Sequence, residues 1–123
     1  YLADIIYPGN KQKNFSKINL KSTGKKWKSK KTGNTYPLSW EIKIHEAKID
    51  LKAESLINNQ EINFGMINYW EGPLKVIGAI DGKKVKGKGF MELIGYPSDY
   101  TKLKFLKDEA GWMIKKTLDY IKK

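Results

Sequence analysis

Cysteine is missing from these 123 residues, and so is arginine. Without cysteine there is no disulfide framework, no thiolate-ligated metal and no thiol nucleophile, and the redox compartment stays open. Without arginine there is no guanidinium fork for bidentate readout of guanine or phosphate. Histidine is nearly absent too. His45 stands alone, so no Ser-His-Asp arrangement can be assembled and no metal site has its ligand count. No apolar run approaches the roughly 18 residues of a membrane span. No signal-peptide pattern opens the chain. It begins at Tyr1, in what already reads as a strand, and is expected to be a fragment or processed product with its upstream part missing.

What the chain has in excess is lysine. The formal charge is +11, but residues 11–31 hold nine lysines and no acid, while the rest holds fifteen lysines against thirteen acids. A lysine-only surface supports nonspecific, salt-sensitive attraction to polyanions or anionic lipid. The plainer expectation is a solvated lysine-rich face. Nucleic acid is not the expected partner, and Lys11–Lys31 is the segment through which a peripheral anionic membrane contact would run. Aromatics interleaved with lysine around Trp27 also allow base stacking, which the lack of arginine counts against.

By length this is one domain, and alternation of apolar and polar residues dominates its first hundred positions. Tyr1–Tyr7 reads as a strand ending in the turn Pro8-Gly9-Asn10, and Ile18-Asn19-Leu20 alternates briefly. From Tyr36 to His45, Trp40, Ile42 and Ile44 share one face against Glu41, Lys43 and His45. Ile49, Leu51 and Ala53 continue that face after a turn near Glu46–Lys48. This predicts a hairpin with one wet side. A second hairpin runs from Leu74 to Ile80, turns at Asp81-Gly82 and returns through Val85–Tyr96, the Asp-Gly pair being a strong hairpin signal. Gly87-Lys88-Gly89 lies inside that strand pattern and is not a phosphate loop. Beyond Asp108 the pattern becomes helical: Ala110, Met113, Ile114, Thr117, Leu118 and Ile121 share a face. The expected fold is mainly β: an antiparallel barrel or curled sheet over about 1–100, with one C-terminal helix over about 107–122.

Two acid-bearing strands are the natural place to look for chemistry, Tyr69-Trp70-Glu71-Gly72-Pro73 and Gly89-Phe90-Met91-Glu92-Leu93-Ile94-Gly95-Tyr96. A carboxylate inside a closed sheet costs several kcal/mol unless it is paired. Glu71 and Glu92 therefore have three readings: hydrogen-bonded anchors of the barrel wall, contacts to the polar end of a ligand, or an acid–base pair. The anchor reading leads, and no residue is assigned as catalytic. Trp27, Tyr36, Trp40, Tyr69, Trp70 and Tyr96 join Glu71 and Glu92 as candidate ligand-binding residues, because aromatic-lined cavities are how barrels hold small molecules. The same aromatics also serve as ordinary barrel filling.

Read in order, Trp27-Lys28-Ser29-Lys30-Lys31-Thr32-Gly33-Asn34-Thr35-Tyr36-Pro37-Leu38-Ser39-Trp40, then Asn59-Gln60-Glu61, then the two acid-bearing strands, the chain resembles the C-terminal half of the AttH-like, lipocalin-fold proteins that include carotenoid hydratase (hydroxyneurosporene synthase). The resemblance covers roughly residues 1–97 and leaves out the C-terminal helix. It implies a lipocalin-like barrel that is the second of two in the full-length protein. It also implies that some relatives hydrate a carbon–carbon double bond without a redox cofactor. The family's segment with an acid, a His and a Trp belongs to the N-terminal half, and nothing here matches it. Phe90 stands where the family usually has tyrosine and Ile94 where it has threonine, so each removes a hydroxyl from the strand.

The expectation is a non-enzymatic lipocalin-like barrel for an apolar or amphipathic small molecule, or a structural half of a two-barrel protein, with no cofactor. The alternatives are the C-terminal domain of a carotenoid-hydratase-like enzyme, acting as a cofactor-independent hydratase, and a basic module for nucleic acid or anionic lipid.

Overall fold

The computed structural model describes residues 1–64 and 67–96. Ten strands follow one another: β1 (Ala3–Tyr7), β2 (Lys11–Phe15), β3 (Asn19–Ser22), β4 (Lys26–Lys28), β5 (Thr35–Pro37), β6 (Ser39–Ile44), β7 (Ile49–Ser55), β8 (Glu61–Phe64), β9 (Ile67–Ile80) and β10 (Lys83–Leu93). A 3-10 turn, His45–Ala47, links β6 to β7. All pairings are antiparallel. The main sheet runs β10-β9-β7-β6-β3, with β8 also on β9, and curls into a half-barrel. The helix expected over 107–122 lies outside the described residues.

Both expected hairpins form, and the second is longer than its alternation announced. Strand β9 begins at Ile67 rather than Leu74, because its first part pairs with β8 and its later part with β7. Opposite it, β10 matches Leu93 to Trp70 and Lys83 to Ile80 without a slip. Asp81 and Gly82 both have positive φ, 51° and 73°, as a two-residue turn matched to strand twist requires. The run read from Tyr36 to His45 is broken into β5 and β6, which belong to different sheets, and ends at Ile44. Strands β2, β4 and β8 carry too little apolar alternation to be read from sequence. They exist because their neighbours supply the pairing, as when β1 aligns Tyr7 with Lys11 across the Pro8-Gly9-Asn10 turn.

The unbroken register assigns every side chain of the main sheet to one of two faces. One face carries Leu20, then Trp40, Ile42 and Ile44, then Ile49, Leu51 and Ala53, then Trp70, Leu74 and Val76, then Val85, Met91 and Leu93. The other carries Lys21, Glu41, Lys43, Asp50, Lys52, Glu54, Lys75, Lys84, Lys86 and Lys88. The apolar face is unevenly buried. Ile44, Ala53, Trp70 and Leu74 are buried, whereas Leu20, Ile42, Leu51, Val76 and Val85 are only half-buried. Packing is densest at one end, where Tyr36, Leu38 and Trp70 are fully buried against Trp27, Met91, Leu93 and Tyr96.

Candidate functional site

The densest chemistry surrounds Glu61, at the start of β8. Strands β4 and β5 pair through Trp27 and Tyr36, and the chain between them closes in a tight turn. Within it Gly33 donates its N–H to the Ser29 carbonyl at 2.9 Å, and Ser29 donates its own to the Asn34 carbonyl at 2.8 Å. The Ser29 hydroxyl oxygen accepts from the N–H groups of Lys31 and Thr32, both at 3.2 Å. The Asn34 N–H donates to Thr32 Oγ1 at 3.3 Å. Short polar side chains thus satisfy backbone groups that no ladder reaches.

Three hydroxyls from this turn and strand β5 converge on one carboxylate. Ser29 Oγ donates to Glu61 Oε2. Thr32 Oγ1 and Tyr36 Oη donate to Oε1, at 2.5 Å and 2.8 Å. Burial alone would push the Glu61 carboxyl up. The hydrogen bonds from Ser29, Thr32 and Tyr36, with the Asn63 amide, outweigh it and hold the group below the usual carboxylate range. Its partner responds in the opposite sense: burial first, then the bond to Glu61, raises the Tyr36 phenol well above its ordinary value. A carboxylate has about four lone-pair positions, and the three hydroxyls take three of them. Glu61 is therefore an ionised, hydrogen-bonded anchor, unsuited to taking up a proton at neutral pH.

Aromatic packing continues from the same residues. Trp27 stacks on Tyr36 with ring centroids 6.1 Å apart, and Tyr36 tilts against Tyr96 at 4.6 Å. Asn34 Nδ2 donates to the Tyr96 carbonyl at 2.9 Å, which pins Tyr96 just beyond β10. Trp70 donates its indole N–H to the Asn58 carbonyl at 2.6 Å. Beside this cluster lies an open cleft of about 460 Å³ whose lining includes Trp27, Lys28, Asn59, Glu61 and Asn63.

Of the eight candidates proposed from sequence, the fold gathers four: Trp27, Tyr36, Trp70 and Tyr96. Trp40 shares the apolar face but stands apart, opposite Ala53, with its indole N–H on the Pro37 carbonyl at 3.1 Å. Tyr69, Glu71 and Glu92 belong to the opposite face. Glu71 and Glu92 are directly paired across β9 and β10, Glu92 is exposed, and neither carboxylate has an ion pair with another described residue. Like charges directly opposite in an antiparallel pair repel. Glu92→Lys is therefore expected to stabilise the hairpin by about 0.5 kcal/mol, read as a higher urea midpoint; an unchanged or lower midpoint would show that no repulsion exists there.

Sequence reasoning passed over Glu61. The signal was present: four hydroxyl residues and an Asn in the Trp27–Tyr36 segment, and one acid in Asn59-Gln60-Glu61. Nothing local linked the two segments, because the bonds span between 25 and 32 positions.

Comparison with known proteins fits this geometry. The AttH-like family model matches residues 2–96. The chain belongs to the AttH-like family. Among solved structures it is similar to kievitone hydratase from Nectria haematococca, with 25% identity and a TM-score of 0.67 over 79% of this chain. The match takes in 30% of that protein, so the chain spans about a third of its length. No curated protein matches. This AttH-like chain thus shares the lipocalin-like architecture of a hydratase, and its Trp27–Tyr36 signature is the clasp around Glu61.

A depressed carboxyl has a stability consequence of fixed sign. Its folded form ionises more readily than its unfolded form. The stabilisation is therefore present above the ordinary carboxylate range and lost as pH falls through the folded value. The resistance of the wild type to urea should fall steadily on acidification below about pH 4.5. In Glu61→Gln that part of the acid dependence should disappear, leaving a flatter profile. An unchanged slope in the variant would mean that Glu61 is not held as described.

Proposed function

We propose that this chain is the binding half of a hydratase-like AttH protein: a lipocalin-like wall that takes an apolar or amphipathic small molecule on its apolar face and supplies no acid–base chemistry of its own. The observation that carries this reading is the placement of the acids. Glu61 is held by three hydroxyls, and Glu71 and Glu92 belong to the lysine-bearing face, away from Leu51, Val76 and Val85. The half-buried apolar row remains as the surface with affinity to offer. Reactive groups for a hydration would then come from an upstream barrel of the same protein, which completes the cavity. No cofactor enters this reading.

A second reading treats the chain as the C-terminal domain of a carotenoid-hydratase-like enzyme whose catalysis it shares. The likeness to kievitone hydratase favours it.

A fluorescent apolar probe such as anilinonaphthalene sulfonate separates the two. It should bind the chain with saturation, and Leu51→Lys or Val85→Lys should abolish the signal while circular dichroism stays native. Hydration of an alkene by the chain alone, lost in Glu71→Gln or Glu92→Gln, would overturn the binding reading in favour of the enzyme. Absence of saturable probe binding would also overturn it.

A further inference from the structure

Sequence reading places the cationic surface in Lys11–Lys31, but the fold distributes those lysines over three separate sheets, with Lys11 and Lys13 on β2, Lys21 on β3, and Lys26 and Lys28 on β4. Lys25 is used internally, reaching Glu54 at 3.5 Å and the Ser55 carbonyl at 2.8 Å. A different set is assembled on one plane. On the outer face of the main sheet, Lys84, Lys86 and Lys88 follow at every second position of β10, with Lys75 opposite Lys88 and Lys52 opposite Ile77. Of the acids on this face, Asp50 pairs with Lys43 at 3.6 Å and Glu54 with Lys75 at 3.4 Å. Glu41, Glu71 and Glu92 have no ion pair among the described residues, and Glu71 and Glu92 lie beyond Phe90, towards the opposite end of β10 from Lys84. Lys52, Lys84, Lys86 and Lys88 have no ion pair among the described residues.

Apolar groups stand among these charges. Ile77 is 53% exposed and lies opposite Lys86, and Phe90 is 67% exposed, two residues beyond Lys88 on the same face. A hollow of about 480 Å³ lies over Ile77 and Ala79, with Lys52 and Lys84 in its wall. Lysines on the edge strand β10 have a simpler role, since they oppose pairing with another sheet edge. That role accounts for the row of charge. It gives no reason for a bare isoleucine and phenylalanine within it.

We infer that the outer face of β9 and β10 docks on an anionic phospholipid surface, with Lys52, Lys84, Lys86 and Lys88 among the headgroups and Ile77 and Phe90 entering the apolar boundary. Each lysine held near an anionic leaflet gains attraction, and the compact ammonium needs no fixed partner geometry. Ile77 and Phe90 gain only by leaving water for an apolar medium. This favours a membrane over nucleic acid, whose backbone gives an isoleucine nothing to enter. The two faces of the sheet are then divided in use, the apolar one for the small molecule and the charged one for the lipid surface. The inference does not depend on the binding reading.

The test is sedimentation of the 123-residue chain with vesicles of phosphatidylcholine alone or mixed with phosphatidylserine. Binding is expected to the mixed vesicles only and to weaken with salt. Replacing Lys84, Lys86 and Lys88 together by glutamine should reduce it about a hundredfold. Replacing Lys11, Lys13 and Lys17, the same loss of charge elsewhere, should change it little. Ile77→Ser with Phe90→Ser should weaken vesicle binding and leave any binding to duplex DNA unchanged. The inference is overturned by no binding to phosphatidylserine vesicles, by equal effects of the two lysine triples, or by indifference to Ile77 and Phe90. Aggregation of the Lys84, Lys86 and Lys88 variant without vesicle binding by the wild type would assign those lysines to edge protection alone.

Discussion

Replacing Gly78 with alanine is expected to destabilise the protein by about 3 kcal/mol or more, the largest effect of any single added methyl in the main sheet. The cause lies in the crossing of β7 and β9. A Cβ at Gly78 would stand 2.1 Å from the Asp50 carbonyl oxygen and 2.8 Å from Leu51 Cα. Both are backbone atoms in the ladder, so no rotamer change relieves the overlap and the two strands must separate. Separation would loosen the pairing of Ile49 with Ile80 and of Ala53 with Val76. Urea denaturation followed by tryptophan fluorescence reads the effect as a fall in midpoint. Gly87→Ala on β10 is the control: no atom lies within 4 Å of its Cβ position, so a change within about 0.5 kcal/mol is expected. Equal effects at the two positions would mean that the close approach at Gly78 does not exist in solution.

Trp70→Ala should cost about 3–5 kcal/mol. Trp70 is fully buried with Tyr36 and Leu38, and its ring lies over Gly72, whose Cβ position is 2.8 Å from Trp70 Cη2. Two contributions can be told apart. Trp70→Phe keeps most of the apolar volume but removes the donor to the Asn58 carbonyl, so about 1–2 kcal/mol should be lost there. The remainder of the alanine effect is cavity and lost transfer. Fluorescence cannot be the sole probe for these variants, so far-ultraviolet circular dichroism should follow the transition. A loss below about 1 kcal/mol in the alanine variant would place Trp70 at a site that collapses freely, against the packing seen here.

Much of the sheet was legible because period-2 alternation acts locally. Trp40, Ile42 and Ile44 against Glu41 and Lys43 needed no tertiary knowledge, nor did the Asp81-Gly82 turn. Strands β4 and β8 were not legible, nor was the break at Leu38 that sets β5 apart from β6. The residues of β4 and β8 are mostly polar, and these are strands because Tyr36, Trp27 and Glu61 have partners far along the chain. The site divides in the same way. The aromatic candidates Trp27, Tyr36, Trp70 and Tyr96 come together because large apolar side chains seek a common core. Glu71 and Glu92 drew attention as acids in apolar strands, yet alternation places them opposite Trp70 and Leu93, on the face that water reaches. The acid with a built set of donors was Glu61, in a segment with no apolar periodicity to mark it.

The role of this site turns on the state of one carboxylate. If the Trp27–Tyr36 signature is a clasp that holds Glu61 ionised, the group is an anchor; if Glu61 takes up a proton near neutrality, it is a candidate acid or base. Carbon-13 NMR of the glutamate side-chain carboxyls across an acid titration measures this directly, with Glu61→Gln assigning the resonance. The predicted result is a midpoint below the ordinary 4.5 of a glutamate carboxyl, moved upward when Tyr36→Phe or Ser29→Ala removes a donor. A midpoint raised towards neutrality, or one indifferent to those donors, would contradict the anchor and make Glu61 a candidate acid or base.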